Sequence, residues 1–349
     1  MGLDKKWGIK IGLLPSGARN KISDIQGVEV GHATLDSGLA RTGVTAVLPH
    51  KGNVYQEKLP CGCAVINGYG KSTGLLQIAE LGNLETPIIL TNTLSVGTAF
   101  TALAEFMLAA NPDITSVNPV ICECNDSYLN DIRGFHVSRK DIIGALENTS
   151  EDFPEGAVGA GTGMICHGLK GGIGSASRLV ELDGKSFCVG CLALSNHGLL
   201  RDLVVDGEKQ GRRLASDVKE QTDKGSIIVI IATDAPASDR QLNRICRRAV
   251  VGLSRTGSYM ANGSGEIVIG FSTANRIPNN LQKDIYSIET IHEDKLDALF
   301  RAAAEAVEES VLSSLFHSIE THGRNNHVCR ALLDCLKENI RGRADYMSR

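Results

Sequence analysis

A serine between two glycines is the residue of this sequence most suited to nucleophilic chemistry. Ser264 lies in the run Asn262-Gly263-Ser264-Gly265-Glu266, directly before an alternating apolar stretch. The flanking glycines have no Cβ, so the backbone can take conformations closed to other residues and a reacting carbonyl can come close. The Ser264 hydroxyl could attack the carbonyl of Gly263, and an N→O acyl shift followed by hydrolysis would cut the chain at that bond.

Cleavage between Gly263 and Ser264 would also create the base that the serine needs. The new α-amino group of Ser264 would titrate near neutral pH and could accept the proton of its own hydroxyl. The alternative is that Asn-Gly-Ser-Gly forms an ordinary tight turn, because Asn-Gly and Ser-Gly are common turn dipeptides. From these four residues alone, the turn is the simpler interpretation.

Polar side chains at the ends of apolar runs could complete a reaction site. Asn196 ends one such run, and a carboxamide there could stabilise an oxyanion, an effect of roughly 3 to 4 kcal/mol; a buried strand cap is the alternative. Glu123, after a second run, could hold the positive amino group of a substrate. Asn125, Tyr128 and Asn92 could line the same pocket, although solvated loop residues would give the same pattern.

The elements that must position these residues are strands interspersed with helices. The run Ser226–Thr233 is apolar throughout except at its ends, which predicts a central strand covered on both faces. A short helix is predicted over residues 138–148 with a Ser-x-x-Asp start, and a longer one from about Asp239. Together they indicate a sheet core covered by helices.

Composition excludes several classes of function. With 349 residues and 42% apolar content, the chain can bury a sizeable core. A net charge of −4 argues against general binding of nucleic acid or of a membrane surface. The first ten residues do not resemble a signal peptide and no run of eighteen apolar residues occurs, so we expect a cytoplasmic protein with no membrane partner.

Ten cysteines raise the alternative of a metal site. The pairs are Cys61-Gly-Cys63, Cys122-Glu-Cys124 and Cys188-Val-Gly-Cys191. Because all three pairs lie in strand-like runs and two have only one residue between the cysteines, we interpret them as buried thiols. The glycine-rich runs also lack the acidic partner of a dinucleotide site, so neither a metal nor a cofactor is predicted.

Several long segments, in the same order, resemble the DmpA family of self-processing aminopeptidases. The segments that carry the resemblance are Thr233–Pro236, Arg240–Arg244, Arg247–Ala249, Gly252–Ser258, Asn262–Ile267 and Phe271–Asn275. The resemblance covers nearly the whole chain. It implies an α/β fold of four layers, an α/β/β/α sandwich like that of N-terminal-nucleophile hydrolases, in one domain spanning residues 1–349.

The resemblance also implies how the site works. Cleavage would leave an α part, residues 1–263, and a β part, residues 264–349, and such pairs would assemble into homo-oligomers. Asn196 matches the oxyanion position, and a carboxylate from the helix after the Ser264 strand would lie beside the nucleophile. Glu309 is the first choice for that carboxylate and Glu308 the second. Many members carry a glutamate where this chain has Lys71, so a substrate contact at that position does not carry over.

The predicted function is therefore hydrolysis of the N-terminal residue from short peptides, amides or esters. An acyltransferase of related architecture, in which an amine replaces water, is a first alternative. An uncleaved binding protein without catalytic activity is a second. The sequence does not distinguish L-, D- and β-amino acid substrates.

Overall fold

The computed structural model describes residues 2–215, 224–280 and 284–338. The strands of these ranges are β1 (Glu29–Leu35), β2 (Thr42–Leu48), β3 (Glu57–Gly68), β4 (Asn83–Leu84), β5 (Ile88–Asn92), β6 (Val120–Cys124), β7 (Thr149–Ser150), β8 (Ile165–Cys166), β9 (Leu169–Lys170), β10 (Gly172–Leu182), β11 (Lys185–Asn196), β12 (Ser226–Thr233), β13 (Gly265–Ser272), β14 (Ile277–Pro278), β15 (Thr321–His322) and β16 (Val328–Cys329). The α-helices with both ends in these ranges are α1 (Leu3–Trp7), α2 (Leu75–Leu81), α3 (Val96–Ala110), α4 (Arg139–Glu147), α5 (Gln210–Leu214), α6 (Asp239–Cys246), α7 (Ala249–Arg255) and α8 (Leu296–Phe316).

Two sheets form the centre of the molecule. The first is five-stranded with the order β6-β5-β2-β1-β7, and the second is seven-stranded with the order β10-β11-β12-β13-β3-β14 and β4 beside β3. Within these sheets β5 runs parallel to β6 and β12 parallel to β13. The predicted central strand is confirmed: β12 lies between β11 and β13, and all eight of its residues are buried.

Three apolar clusters separate four layers of secondary structure. One lies between the helices α3 and α4 and the first sheet, where Leu103 and Ile142 meet Ile89. A second lies between the two sheets and includes Leu90 and Ile230. A third packs the second sheet against the α6, α7 and α8 helices. This order of layers confirms the α/β/β/α sandwich.

The helix α8 approaches the second sheet closely because a glycine faces it. A Cβ built on Gly174 of β10 would lie 1.9 Å from the carbonyl oxygen of Ser310 and 2.5 Å from the nitrogen of Ser314. Any larger residue at 174 would push the helix off the strand. This contact places α8 over β10 and β11, at one side of the second sheet.

Three predicted elements differ from the observed ones. The helix expected from about Asp239 is divided into α6 and α7, and at the break Arg248 N–H donates to the Ile245 carbonyl three residues back. The spacing of Val328, Leu332 and Leu336 predicts one more helix near the C-terminus, but Val328 belongs to β16. The pattern of residues 201–216 predicts a strand, a turn and a charged stretch, but a 3₁₀ turn and α5 are found there, and Ser216 lies outside the described residues.

The segment Thr93–Ala110, which contains α3, is long and apolar enough to cross a membrane by length and composition. Its Ala99, Leu103 and Met107 are buried against the first sheet, which is the environment of a helix in a layered fold. On the same helix Phe100 and Leu108, eight residues apart, keep 40% and 38% of their surface exposed. The helix therefore has one face in the core, and its outer side carries these two exposed apolar residues beside polar ones such as Thr101 and Glu105.

Candidate active site

Four strand ends meet at one edge of the second sheet. In the pairing register Asn196, the last residue of β11, lies opposite Ser226, and Ser226 lies opposite Gly265. Gly265 in turn lies opposite Gly68, the last residue of β3. Because neighbouring strands are about 4.8 Å apart, Asn196 and Gly265 are separated by roughly 10 Å along this edge. The residue before Gly265 is Ser264.

Ser264 ends a β-turn and is fully buried. Its backbone N–H donates to the carbonyl of Ala261 over 2.9 Å, which closes the turn that contains Asn262 and Gly263. The side-chain amide of Asn67 lies within hydrogen-bond distance of the carbonyls of Ala261, at 3.0 Å, Asn262, at 3.3 Å, and Ser264. The Gly263–Ser264 peptide group is therefore held on both sides by one carboxamide.

A buried carboxylate accepts the hydrogen bond of the Ser264 hydroxyl. The acceptor is Oε1 of Glu266, which is fully buried. Ser264 immediately precedes β13 and Glu266 is the second residue of that strand, and their hydrogen bond shows that the two side chains lie on the same side of the chain. The register between β13 and β3 shifts between Glu266 and Ile267, and such irregularities re-aim side chains next to active sites.

The two glycines beside Ser264 differ from the expectation in how they act. Neither has a positive φ; in the stretch 259–273 the residue with a left-handed backbone is Met260, with φ 54°. Gly265 is required for space instead, because a Cβ there would lie 2.6 Å from the carbonyl oxygen of Tyr69. The backbone just after β3 thus packs directly on the backbone that follows the serine.

A cavity of about 810 Å³ opens beside this edge of the sheet. Its lining includes three of the predicted substrate-binding residues, the predicted oxyanion residue and two lysines. The complete lining is Tyr69, Lys71, Thr93, Glu123, Asn125, Ser127, Tyr128, Ile165, Gly168, Asn196, His197, Gly198, Leu199, Leu200, Lys224, Gly225, Ser226, Val328 and Cys329. Ser264 is not in this lining. Its neighbours Tyr69, Gly225 and Ser226 form the wall, and Gly265 N–H donates to the Gly225 carbonyl over 3.2 Å.

Asn196 occupies the end of β11 with its carboxamide oriented by backbone groups. Its Oδ1 accepts from Ile165 N–H at 2.9 Å, and its Nδ2 donates to the Asn125 carbonyl at 3.1 Å. The bond to Asn125 uses one of the two hydrogens on Nδ2. This side chain lines the cavity with a fixed donor group, as an oxyanion-binding role requires.

Glu123 supplies a buried carboxylate to the cavity. Only 3% of its surface is exposed. Its Oε1 accepts from the backbone N–H of Lys71 at 2.8 Å, and its Oε2 accepts from the Thr93 hydroxyl. The Lys71 ammonium lies over the Tyr69 ring instead, 4.7 Å from the ring centroid. The carboxylate therefore has no ammonium against it among the described contacts, and a cation from a substrate would have an acceptor.

The other predicted substrate-binding residues divide into two groups. Asn125 and Tyr128 line the cavity, and the Tyr128 ring stacks on His327 at 4.1 Å between centroids. Asn92 is buried away from the lining. Its Nδ2 donates to Thr42 and its Oδ1 caps the backbone at Leu94 and Ser95, because Asn is a favoured N-cap. The prediction for Asn92 is therefore corrected to a structural role.

Neither predicted helix glutamate contacts Ser264. Glu309 binds Arg178 at 2.7 Å, with Asn20 at 2.6 Å, and Glu308 binds Arg255 at 3.2 Å. The reason is the position of α8, which packs over β10 and β11, whereas Ser264 leads into β13. The carboxylate beside the serine is instead Glu266, which the sequence analysis quoted but did not assign.

One group of side chains could hold a metal ion. Cys166, His167 and His197 are buried, and one potential ligand atom of each lies within 4.8 Å of the others. Burial lowers the pKa of His197 to about 3, with the neighbouring His167 as a second cause, so its imidazole is neutral at pH 7. None of the three cysteine pairs considered in the sequence includes Cys166, and His197 was not considered as a ligand. In the part of the chain that is described, no cysteine forms a disulfide.

A buried acid and a buried cation lie close to the cavity. Burial raises the pKa of Asp126, which follows Asn125, to about 6. Burial lowers the pKa of Lys170 to about 8, and its ammonium donates to the carbonyls of Gly161, Met164 and Gly171 at 2.7 to 2.9 Å. These groups stabilise the loop around residues 161–171. In this loop the N–H of Ile165 donates to the Asn196 side chain.

The two-sheet sandwich, with a serine at the head of an inner strand and a cavity beside it, is the arrangement of an N-terminal-nucleophile hydrolase. The chain belongs to Peptidase family S58, whose model matches residues 20–329.

Relatives support this assignment over the full length of the chain. A beta-peptidyl aminopeptidase BapA of Sphingosinicella microcystinivorans is 38% identical over 90% of this chain and 86% of its own. The PH0078 protein from Pyrococcus horikoshii OT3 has a similar structure, with TM-score 0.92, 51% identity and coverage of 97% and 98% of the two chains. An L-aminopeptidase D-Ala-esterase/amidase from Ochrobactrum anthropi, described as a variant of the Ntn hydrolase fold, matches with TM-score 0.89, 34% identity and coverage of 97% of both chains. The prediction of a serine aminopeptidase of this family with this fold is confirmed.

Proposed function

We propose that the chain cuts itself between Gly263 and Ser264 and then removes N-terminal residues from short peptides, amides or esters, with Ser264 as the nucleophile. One observation carries the proposal. Ser264 directly precedes Gly265, whose N–H is bonded to Gly225 in the cavity wall, and the same cavity presents a buried carboxylate, Glu123, and a fixed carboxamide, Asn196. An amine-selecting group, an oxyanion donor and a nucleophile are the parts that an aminopeptidase needs.

The proposed order of events explains why the serine is buried in the uncut chain. The turn 261–264 closes the approach to Ser264 while the Gly263–Ser264 bond is intact. After hydrolysis Gly263 would be a chain end, free to leave the edge, and the hydroxyl and new amine of Ser264 would face the space beside Gly225 and Ser226. The α-amine then serves as the base for each turnover.

The charges of the cavity favour short substrates with a free amino terminus. Glu123 would pair with the substrate ammonium, and Asn196 would donate to the oxyanion formed as Ser264 attacks. Lys71 and Lys224 lie at the same cavity, so a carboxylate at the far end of a dipeptide or tripeptide would meet positive charge. The volume of about 810 Å³ fits such peptides rather than a folded protein.

The test is the intact mass of freshly purified protein under denaturing conditions, beside the Ser264→Ala variant. We expect wild type to give two fragments, residues 1–263 and 264–349, and the variant to stay whole. Incubation of the cut protein with aminoacyl p-nitroanilides should then release p-nitroaniline. A wild-type chain that remains at full length would refute the proposal and favour an uncleaved binding protein, and aminolysis products in place of hydrolysis would favour an acyltransferase.

The same proposal includes assembly and location. We expect a homo-oligomer of cut pairs in the cytoplasm, supported by the exposed apolar side chains of Phe100 and Leu108 on α3 and by ten cysteines without a disulfide among the described residues. Multi-angle light scattering should give a multiple of the chain mass, and Phe100→Glu should reduce it. An unchanged monomer mass in wild type would exclude assembly.

A further inference from the structure

Self-cleavage needs a proton acceptor that exists before the chain is cut. In the intact chain the nitrogen of Ser264 is an amide whose hydrogen is donated to the Ala261 carbonyl at 2.9 Å. An amide nitrogen with its lone pair delocalised does not act as a base. The α-amine that would assist later turnovers is a product of the first cleavage, so it cannot promote that cleavage within its own chain.

We propose that Glu266 is the base that takes the proton of Ser264 during self-cleavage, a role separate from that of the α-amine in the mature enzyme. The inference rests on the proposed cleavage between Gly263 and Ser264. Its basis is direct contact: Glu266 Oε1 accepts the hydrogen bond of the Ser264 hydroxyl, and both side chains are fully buried. A candidate base must be within hydrogen-bond reach of the proton that it removes, and this carboxylate is.

The backbone holds this pair in place. Glu266 is the second residue of β13, and Ser264 immediately precedes this strand. Glu266 pairs with Asn67 of β3, immediately before the register shift at Ile267. The side-chain amide of Asn67 in turn reaches the carbonyls of Asn262 and Ser264, on either side of Gly263. One pair of opposed residues therefore orients both the attacking hydroxyl and the peptide groups that flank the attacked one.

Other ionisable groups near the second sheet are committed elsewhere. Glu309 is bound to Arg178 and Glu308 to Arg255. Glu123 accepts from the Lys71 backbone and from Thr93, at the side of the cavity formed by the first sheet. Within the described ranges, the hydrogen-bond acceptor of the Ser264 hydroxyl is Glu266.

The chemistry balances with water as the only co-reactant. The Ser264 oxygen forms a bond to the Gly263 carbonyl carbon while its proton moves to Glu266, giving a tetrahedral intermediate. The C–N bond then breaks and Glu266 returns the proton to the Ser264 nitrogen, which leaves an ester between Gly263 and the serine oxygen. The same C–N cleavage frees the amine of Ser264. Water then hydrolyses the ester to the Gly263 carboxylate and the free hydroxyl, and the released proton is taken up by that amine.

The experiment follows maturation of the full-length chain made by pulse-labelled cell-free translation and chased at a series of pH values. Loss of a general base slows a reaction by about 10² to 10⁴-fold, so Glu266→Gln should form the 1–263 and 264–349 fragments more slowly by that factor. Wild-type cleavage should slow as the pH is lowered, because the carboxylate must be ionised. The residual cleavage of the Gln variant should lack this slowing at low pH, which is the acid limb of the rate profile. Cleavage of the Gln variant at the wild-type rate would overturn the assignment.

Hydroxylamine separates the two stages of cleavage. It cuts the ester without the help of the protein, so an ester that accumulates is converted to a Gly263 hydroxamate. If Glu266 promotes the attack, hydroxylamine will not restore cleavage in Glu266→Gln, since no ester forms. Intact mass distinguishes this product from direct cutting of the Asn262–Gly263 bond by hydroxylamine, which leaves a fragment that begins at Gly263. A fragment that begins at Ser264, with a Gly263 hydroxamate on the other, would show that Glu266 acts only on ester hydrolysis and would overturn the assignment to the attack.

Two controls keep this test apart from the test of the proposed function. Ser264→Ala must remain whole; its cleavage at the same bond, or a wild type that is never cut, would refute the proposed function itself. Thermal unfolding reports whether Glu266→Gln folds. If it does not, Glu266→Asp, which keeps a carboxylate on a shorter stem, is expected to mature slowly and with the acid limb retained, and an unchanged rate in that variant would overturn the inference.

Discussion

The buried carboxylate of Glu123 offers a sharp test of substrate selection, through the variant Glu123→Gln. The side chain keeps its shape, and its oxygen can still accept from the Lys71 N–H that now lies at 2.8 Å. The Thr93 hydroxyl can rotate from donor to acceptor toward the new amide. The perturbation therefore removes the negative charge and little of the local structure.

The magnitude follows from the burial of the charge. Two unit charges 4 Å apart interact by about 4 kcal/mol at an effective dielectric constant of about 20, and part of this offsets the desolvation of the substrate ammonium. Hydrogen bonds to charged groups contribute about 1.5 to 3 kcal/mol net. Because Glu123 is only 3% exposed, solvent screens little of this, and we expect kcat/KM for an aminoacyl substrate to fall by roughly 10 to 150-fold.

The assay compares two esters that differ at one group. One is an L-alanine ester and the other is the matching lactate ester, which has a hydroxyl where alanine has its ammonium. Glu123→Gln should lower kcat/KM for the alanine ester and leave the lactate ester nearly unchanged. Thr93→Ser, which retains a hydroxyl for the carboxylate, is the matched control and should change neither. Equal losses on both esters would refute the reasoning, because they would show a structural effect without recognition of the amine.

Three further variants test other parts of the site. Asn196→Asp keeps a side-chain acceptor but loses the donor, so kcat should fall about 10² to 10³-fold with little change in melting temperature, and an unchanged kcat would exclude the oxyanion role. Gly265→Ala places a Cβ 2.6 Å from the Tyr69 backbone, so it should lower the free energy of unfolding by about 1 to 3 kcal/mol and slow maturation. At Gly68 the nearest contact of an added Cβ is a side chain 3.4 Å away, so the effects of Gly68→Ala should be mild. Equal effects of the two variants would contradict this reasoning. The pKa of Asp126 rises from 3.8 to about 6 on folding, so its stabilising contribution is complete below pH 4 and is lost as the pH rises through 6. Calorimetry of the uncut Ser264→Ala chain should find this change of about 3 kcal/mol, and the same chain with Asp126→Asn should lack it; parallel pH profiles would count against it.

The sequence predicts the layers and the edge of the site because both depend on local patterns. The sequence alone shows the continuous apolar run Ser226–Thr233 and the polar residues Asn196 and Glu123 at the ends of two other apolar runs. All three features are found in the strands where they were expected. The choice of the nucleophile does not follow from a local pattern. Asn-Gly-Ser-Gly alone is most simply an ordinary turn, and Ser264 is favoured because the surrounding segments resemble the family.

Interactions between distant elements were not predictable in the same way. Asn67 reaches Ser264 only because β3 pairs with β13, and 197 positions separate the two residues. Glu309 was favoured as the serine's partner, but its register along α8 directs it to Arg178, a residue of β10. Glu266 is near Ser264 in the chain, but Ser264 lies in the turn before β13, so strand alternation alone does not predict that the two side chains meet.

The position of β13 inside the second sheet has a consequence for the cut chain. The strand that begins after Ser264 lies between β12 and β3, both of which come from the part before the cut. The intact chain folds in a unimolecular reaction, but the cut pair would have to recombine in a bimolecular one, without the millimolar effective concentration that a covalent link provides. Maturation would therefore make unfolding practically irreversible at micromolar protein. The persistence of the mature enzyme would be set by its unfolding rate and not by its equilibrium stability.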